Sequence, residues 1–308
     1  MKFKKILCII LSFLICVMCS ACGGSNSNKK LKLVTSFYPI YIMALNITDG
    51  VDNVELTNMV DQSVGCLHNF TLSTNDMKNL ENADAIIING AGMEGFVSKI
   101  VEQTPNIKVI DSSKSVELKT DMFSHHHHDD EEEEEEHLHT DINSHIWVSI
   151  KNYIKQVENI SNSIIAMDPD NKDKYLENTN KYIEKLNNLY NEMQNDLDGV
   201  TNRDIITIHN DFMYFADDFG LNVVGIINQE DDTQPNAKEV SEIISLINET
   251  GVQALFVEPQ YSRSVADTIA NETNVKVRVL DPCVSGEISK DAYINIMKQN
   301  QKSLKEAL

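Results

Sequence analysis

Short apolar runs rich in β-branched residues alternate with segments of helical length, and this alternation constrains the fold more than any other feature of the chain. The runs occupy residues 31–37, 54–60, 84–90 and 107–111 in the first half and 204–209, 222–227, 254–258 and 277–281 in the second half. Strands that alternate with helices predict parallel sheets with helices on their faces. Because 308 residues are more typical of two domains than of one, we expect an α/β protein of two lobes, each with a roughly four-stranded parallel sheet flanked by helices.

The segment 168–198 predicts one long helix that links the two lobes, which would then comprise residues 31–167 and 199–308. Asp168 can cap the start of this helix, Pro169 suits its first turn, and Gly199 suits its end. A stripe of buried positions follows at steps of three and four residues: Tyr175, Thr179, Tyr182, Leu186, Leu189, Met193 and Leu197. A single helix would be about 45 Å long and would restrict the relative motion of the lobes. A pair of packed helices is the alternative.

Residues 1–22 have the layout of a signal peptide. A basic start (MKFKK) precedes an apolar stretch at residues 6–18, which is too short to span a bilayer comfortably. The sequence CSAC that ends at Cys22, followed by the polar residues 23–30, resembles a bacterial lipobox with a flexible tether. We therefore expect lipid on Cys22 and an extracytoplasmic protein anchored to the bacterial cell membrane. A plain secretory peptide is the alternative, and it also places the rest of the chain outside the cytoplasm.

The formal net charge of −21 argues against nucleic acid as a partner and favours cations. Eight acidic residues lie in one run, 129–136, within the histidine-rich sequence HHHHDDEEEEEEHLH at residues 125–139. Dense like charge with one apolar residue predicts a disordered loop at about residues 120–140. Its histidines form a candidate auxiliary metal-binding set: His125, His126, His127, His128, His137 and His139. Metal collection or sensing of metal excess is one interpretation, and a solvated spacer is the other.

Outside that loop, the histidines of the chain are His68, His145 and His209. His209 ends a strand-like run, and ligands of parallel α/β sheets collect beyond the carboxyl ends of strands. His68 follows another run by a short loop, and Asp281 closes the last one. His145 opens the apolar sequence HIWVSI. Four metal-capable side chains therefore lie at strand ends or helix starts in both halves, as a metal site in a cleft between the lobes would require.

Several blocks of the sequence resemble the metal-binding lipoproteins of zinc and manganese ABC importers, the ZnuA, AdcA and TroA group. They are GCLHNFTLS (65–73), INGAGMEGF (88–96), NSHIWVS (143–149), HNDFMYFADDFGL (209–221), LFVEPQYS (255–262) and VLDP (279–282). The fourth block resembles the family pattern H-x-[AS]-F-x-Y. The likeness covers residues 31–308 in the family's order. Leu67 and the pair Asn143-Ser144 depart from the Pro and the Asp-Pro that precede two of the family's histidines.

The resemblance implies that His68, His145, His209 and Asp281 coordinate the metal in a two-lobed fold with a linking helix. It further implies a monomeric solute-binding protein that delivers the ion to an ABC permease and its ATPase. We expect Glu258 to make a hydrogen bond near the ligands. Cys66 and Cys283, which lie two residues from His68 and Asp281, are open to three interpretations: a buried free pair, a disulfide, or a direct zinc ligand.

Three imidazoles and one carboxylate suit tetrahedral Zn²⁺, whereas Mn²⁺ prefers more oxygen ligands. We therefore expect Zn²⁺ as the transported ion, with Mn²⁺ or Fe²⁺ as the alternative. A surface metal buffer or adhesin without an importer is another alternative. A zinc hydrolase is the alternative from the enzyme class, but four protein ligands would close the site, and HExxH and GxSxG motifs are absent from the sequence. We expect no catalytic activity.

Overall fold

Each half of the chain forms a four-stranded parallel sheet in this computed structural model, which describes residues 30–60, 70–120, 142–227 and 235–308. The first sheet has the order β2-β1-β3-β4 and consists of β1 (Leu31–Thr35), β2 (Val54–Asn58), β3 (Ala85–Ile88) and β4 (Lys108–Asp111). The second has the order β6-β5-β7-β8 and consists of β5 (Asp204–Thr207), β6 (Asn222–Ile226), β7 (Ala254–Val257) and β8 (Lys276–Val279). The predicted α/β fold class with two four-stranded sheets is therefore confirmed.

Helices connect the strands and cover the sheets. In the first half they are α1 (Tyr38–Ile47), α2 (Thr74–Glu81) and α3 (Val97–Gln103). Two central helices follow, α4 (Ile150–Met167) and α5 (Lys172–Asp196), and the second half adds α6 (Met213–Phe219), α7 (Ala237–Thr250), α8 (Ser264–Thr273) and α9 (Ala292–Ala307). Among the described residues, no helix combines the length and apolar character needed to cross a membrane.

Helix α5 runs unbroken for 25 residues, about 38 Å at 1.5 Å per residue. A short 3-10 turn, Pro169–Asn171, precedes it, and the Asp168 carboxylate accepts hydrogen bonds from Asn171 and from the Tyr175 hydroxyl. The α5 stripe is buried, and the helix packs on α4, on α1 of the first half and on α9 of the second. One helix thus contacts both halves, as the single-helix prediction required.

One hydrophobic core is continuous between the two sheets. It includes Leu33 and Ile86 of the first sheet, Leu186 of α5, and Ile205 and Phe256 of the second sheet. Residues Leu31–Leu308 accordingly form one compact unit. A continuous core resists separation of the two sheets, because opening it would expose apolar surface to water.

A buried carboxylate, Glu94, organises the carboxyl ends of β1 and β3. Its Oε1 accepts hydrogen bonds from Ser36 Oγ and from the Asn89 backbone N–H, both at 2.7 Å, and its Oε2 accepts from the Gly90 N–H at 3.0 Å. Gly90 has φ +80°, and a Cβ there would lie 2.0 Å from Asp111 Oδ1, so this position requires glycine. Burial raises the pKa of Glu94 to about 7 despite these donors.

The raised pKa predicts a pH-dependent contribution of Glu94 to stability. The folded chain binds a proton on Glu94 between about pH 4.5 and 7 that the unfolded chain does not bind. The contribution is therefore fully present below pH 4.5 and is lost as the pH rises through 7. Glu94→Gln should remove a decline in unfolding free energy of about 3 kcal/mol across this window. Urea unfolding at several pH values with EDTA present measures this pH dependence of the unfolding free energy.

The matched control is Glu102→Gln, which changes an exposed glutamate of α3 in the same half of the chain. The control should keep the wild-type dependence on pH. Equal pH dependence of unfolding free energy in wild type and Glu94→Gln would contradict the prediction.

Candidate metal centre

His145 is buried at the start of the short 3-10 turn Ile146–Val148 that leads into α4. The Asn143 side-chain oxygen accepts hydrogen bonds from the His145 backbone N–H at 3.0 Å and from its Nδ1 at 3.1 Å. Asn143 Nδ2 donates to the Asn210 carbonyl at 2.7 Å, which fixes the orientation of the amide. Because the Asn143 oxygen can only accept, we assign a ring proton to Nδ1, and Nε2 is the His145 nitrogen that a metal would bind in place of a proton.

His209 lies two residues beyond the end of β5 and is also buried. The Thr207 hydroxyl donates to the His209 carbonyl at 2.8 Å, and the chain then enters the 3-10 turn Asn210–Phe212. In the second sheet, β5 and β7 are adjacent, and the chain order reverses between them. His209 therefore lies at the switch point of a parallel sheet, where ligands of such folds bind.

Asp211 brings these two histidines together. Its Oδ1 lies 2.9 Å from His145 Nε2 and 2.5 Å from His209 Nδ1. One ligand atom from each of the three buried side chains lies within 4.8 Å of the other two. Burial by itself would raise the pKa of Asp211, but the adjacent His145 and His209 hold it well below its usual range, so Asp211 is ionised.

Two further carboxylates lie near this group. Glu258 follows β7 and is buried. Its Oε2 accepts a hydrogen bond from the Gln260 side-chain amide at 2.6 Å. Its Oε1 has no hydrogen-bond partner among the described residues. Burial, and next the charge of Asp211, raise its pKa well above the usual range. Asp281 follows β8, and its Oδ1 accepts from the Cys283 N–H at 2.8 Å. Burial also raises the pKa of Asp281.

Of the residues implied as ligands, the structure thus brings His145 and His209 together, and Asp281 is not part of their group. His68 and Cys66 lie outside the described residues, as do Cys22 and the histidines of 125–139. Cys283 is a buried free thiol whose pKa is raised by burial and by the charge of Asp281. The thiol donates weakly to the Asp281 carbonyl at 3.8 Å.

Asp211 was missed from the sequence. The available signal was the departure of HNDF from the family pattern H-x-[AS]-F, because Asp211 occupies a position where that pattern has Ala or Ser. A charged side chain in place of a small one beside a candidate ligand is a reason to expect an altered site. Spacing alone did not reveal that the carboxylate would face His145.

The electrostatics of the group favour a divalent cation. Within the described ranges, neither Lys nor Arg pairs with Asp211, Glu258 or Asp281. Asp211 is paired with two imidazoles, whereas buried Glu258 has no basic partner there, which is unfavourable unless it binds hydrogen-bond donors, a proton or a metal. Imidazole and carboxylate atoms that converge at this distance are suitable ligands for a transition metal.

Aromatic side chains surround the two imidazoles. The His145 ring centroid lies 5.2 Å from that of Trp147 and 5.7 Å from that of His209. The Tyr261 ring is nearly parallel to His209 at 6.2 Å. Trp147 is the single tryptophan of the sequence, so its fluorescence reports on events at His145.

Comparison with known proteins identifies the relatives of this chain. The zinc uptake protein ZnuA of Bacillus subtilis is 31% identical over 320 residues, which cover 100% of this chain and 98% of that protein. The zinc-binding lipoprotein AdcA of Streptococcus pneumoniae is 28% identical over 98% of this chain, and the match spans only 61% of AdcA. A manganese-binding lipoprotein, MntA of Halalkalibacterium halodurans, is 24% identical over 96% of both proteins.

Solved structures agree with these relatives. The metal-dependent lipoprotein YcdH of Bacillus subtilis has a TM-score of 0.74 and 28% identity, and the match covers 91% of this chain and 100% of that one. The Zn(II)-bound ZnuA-like domain of Streptococcus pneumoniae AdcA has a TM-score of 0.74 and 26% identity over 90% of this chain and 98% of that one. The model of the family described as zinc-uptake complex component A, periplasmic, matches residues 33–307, and the chain therefore belongs to the ZnuA family.

Proposed function

We propose that this chain captures Zn²⁺ outside the cytoplasm and delivers it to an ABC-type metal importer. The observation that carries the proposal is the convergence of His145, His209 and the ionised Asp211 within 4.8 Å at the switch point of the second sheet. Relatives named as zinc uptake and zinc-binding proteins support the choice of ion. Two buried imidazoles and a carboxylate are ligands that zinc prefers.

His68, which lies outside the described residues, is proposed as a third imidazole ligand. Asp281 is the carboxylate that the family resemblance implies. Three nitrogen ligands and one oxygen ligand favour Zn²⁺ over Mn²⁺, because manganese prefers a set richer in oxygen. The manganese-binding relative keeps Mn²⁺ as the alternative cargo.

A capture protein must surround its ion and later release it, and it has no need of an open coordination position for substrate. Four protein ligands leave no such position, so we propose binding without catalysis. The burial of His145 and His209 supports this, because a buried ion is shielded from water and from competing ligands. We propose that docking on the permease, which acts with its ATPase, triggers release, and that the chain works as a monomer.

The signal-like residues 1–22 support a location outside the cytoplasm, and relatives named as lipoproteins support an anchored form. We assign the lipid to Cys22, with residues 23–30 as the tether. The part of the chain that the structure describes begins at Lys30, at the end of this tether. Anchoring would keep the captured ion close to a membrane-embedded permease, which raises its local concentration there.

The histidine-rich residues 125–139 lie outside the described part, but both ends of the segment that contains them are held beside His145. Thr120 and Ile142 form an antiparallel bridge, and the Asn143 N–H donates to the Lys119 carbonyl at 2.9 Å. The Tyr214 hydroxyl accepts from the Lys119 N–H and donates to the Asn143 carbonyl. We propose that the segment collects Zn²⁺ near the main site at high effective concentration.

His209→Ala should abolish tight zinc binding, because it removes one proposed ligand and leaves Asp211 with His145 as its imidazole partner. We expect affinity to fall by more than the about 10- to 100-fold typical of losing an outer-shell group. Competition with a chelator, followed through Trp147 fluorescence, measures affinity, and elemental analysis identifies the bound metal. Cells that lack the gene should regain zinc uptake with the wild type and not with His209→Ala. If the wild-type gene restored uptake of manganese and not of zinc, zinc would be rejected as the cargo.

Deletion of 125–139 should lower the number of bound zinc ions per chain to one and leave the affinity of the remaining site unchanged. The physical reason is that the deletion removes six imidazoles but none of the site residues His145, His209 and Asp211. Equilibrium dialysis with elemental analysis measures the stoichiometry. Unchanged stoichiometry would reject the collecting role.

Asn143→Ala should weaken zinc binding by about 10- to 100-fold, because Asn143 accepts a hydrogen bond from Nδ1 of His145 and so directs Nε2 toward the metal. Asn143→Asp is the matched variant, since its carboxylate keeps the acceptor for Nδ1 and should retain most of the affinity. Thermal unfolding with EDTA present establishes that both variants fold. Equal affinity of Asn143→Ala and wild type would contradict the orienting role.

A further inference from the structure

The main chain of Asp281 is held by a side chain from a distant helix. Strand β8 lies at the edge of the second sheet, and its pairing with β7 extends to Leu280, whose N–H donates to the Val257 carbonyl at 2.9 Å. Asp281 follows directly. Its N–H donates to Asn300 Oδ1, and its carbonyl accepts from Asn300 Nδ2, both at 2.8 Å. One side-chain amide thus satisfies both backbone groups of Asp281, as a neighbouring strand would.

We propose that Asn300 is a positioning residue for cation capture, which holds the main chain of Asp281 so that the carboxylate of Asp281 is presented to the ion. The inference rests on the proposed zinc-binding function and on Asp281 as the carboxylate ligand. Asn300 itself does not touch the ion and acts through Asp281.

Helix α9 gives Asn300 a fixed support. Asn300 is 1% exposed and lies on the buried face of α9, together with Tyr293, Met297 and Leu304. The Tyr293 hydroxyl donates to the Trp147 carbonyl at 3.0 Å, which ties the helix to the segment that carries His145. A buried amide must find its hydrogen-bond partners within the protein, and the Asp281 backbone offers it both a donor and an acceptor.

The turn that follows Asp281 is held as well. Asp281 Oδ1 accepts from the Cys283 N–H at 2.8 Å, and Cys283 has φ +60°, a left-handed conformation that a side chain rarely adopts. The Trp147 indole N–H donates to the Pro282 carbonyl at 2.7 Å, and the Trp147 ring lies 5.2 Å from that of His145. The turn therefore lies against the segment that carries His145. Within the described ranges no donor reaches Asp281 Oδ2, which is the oxygen left for a cation.

Loss of the Asn300 amide would release this arrangement. The Asp281 N–H and carbonyl would lack partners in a partly buried place, and such groups are costly unless the chain moves to satisfy them. Movement of the Asp281 main chain would shift its carboxylate from the position that suits the ion. Groups that orient a ligand without touching the metal change affinity by about 10- to 100-fold when they are removed.

Asn300→Leu in the full chain tests the proposal, because it removes both hydrogen bonds and keeps a side chain of similar size. We expect zinc affinity to fall by about 10- to 100-fold. Competition with a chelator, followed through Trp147 fluorescence, measures the affinity. The matched control is Asn295→Leu, the same change at an exposed position of α9, which should keep the wild-type affinity. Thermal unfolding with EDTA present establishes that both variants fold.

A double-mutant cycle with Asp281→Ala separates positioning of the carboxylate from a general loosening of the protein. Asp281→Ala should weaken zinc binding by more than about 100-fold, beyond the usual effect of an outer-shell group. Adding Asn300→Leu to Asp281→Ala should then cause no further loss, because the carboxylate that Asn300 positions is absent. Two independent effects would instead multiply.

Other outcomes overturn the assignment. Wild-type affinity in Asn300→Leu would reject it, and so would losses that multiply in the double variant. Wild-type affinity in Asp281→Ala would also reject it, since Asn300 would then have no ligand to position, while zinc capture itself would stand. Should Asn300→Leu fail to fold with EDTA present, Asn300→Ala takes its place with the same criteria. Wild-type protein that binds no zinc would instead reject the proposed function, and this is measured first.

Discussion

The buried side chain of Trp147 fixes the geometry on which the metal centre depends. Its ring packs edge-on against Phe37 of the first half at 5.0 Å, and its Nε1 donates to the Pro282 carbonyl of the second half at 2.7 Å. The Trp147 carbonyl accepts from the Tyr293 hydroxyl of α9. One residue thus contacts both halves of the chain. His145, two positions earlier, is therefore held next to His209.

The surrounding structure makes that position rigid. Ile146 packs with Val116 and Tyr214, and Ser149 caps α4 while it donates to Asp218 of α6. Helices α4 and α5 and the continuous core join the two sheets behind the site. Separation of the sheets would expose this core to water, so the core opposes it.

The metal centre gathers carboxyl groups: Asp211 is ionised between two imidazoles, and burial raises the pKa of Glu258 and Asp281. Such an arrangement destabilises the empty protein, because a carboxylate loses solvation on burial. A bound cation reverses this effect on stability, since it interacts favourably with every carboxylate nearby and binds only the folded chain. Ion capture and folding stability are therefore linked in this protein. The number of carboxylates that touch the ion also sets the balance between zinc and manganese.

Sequence patterns predicted the two sheets and the helix α5 because these elements depend on local periodicity. Strand runs of four or five residues and the stripe from Tyr175 to Met193 are visible without knowledge of contacts. The same patterns placed His145 at a helix start and His209 at a strand end. Motif resemblance then identified the family, since several blocks occur in the expected order.

Local periodicity and the order of motifs were enough to predict the fold class, the family and two histidines suited to a metal. Contacts between distant segments were needed to learn which carboxylate lies between them. Asp211 faces His145 because a 3-10 turn after β5 directs its side chain toward a segment far away in sequence. Asp281, which follows a strand in the same way, is instead turned to the Cys283 N–H. Spacing places a residue at a sheet edge, but the direction of its side chain depends on the local turn and on the packing of distant segments.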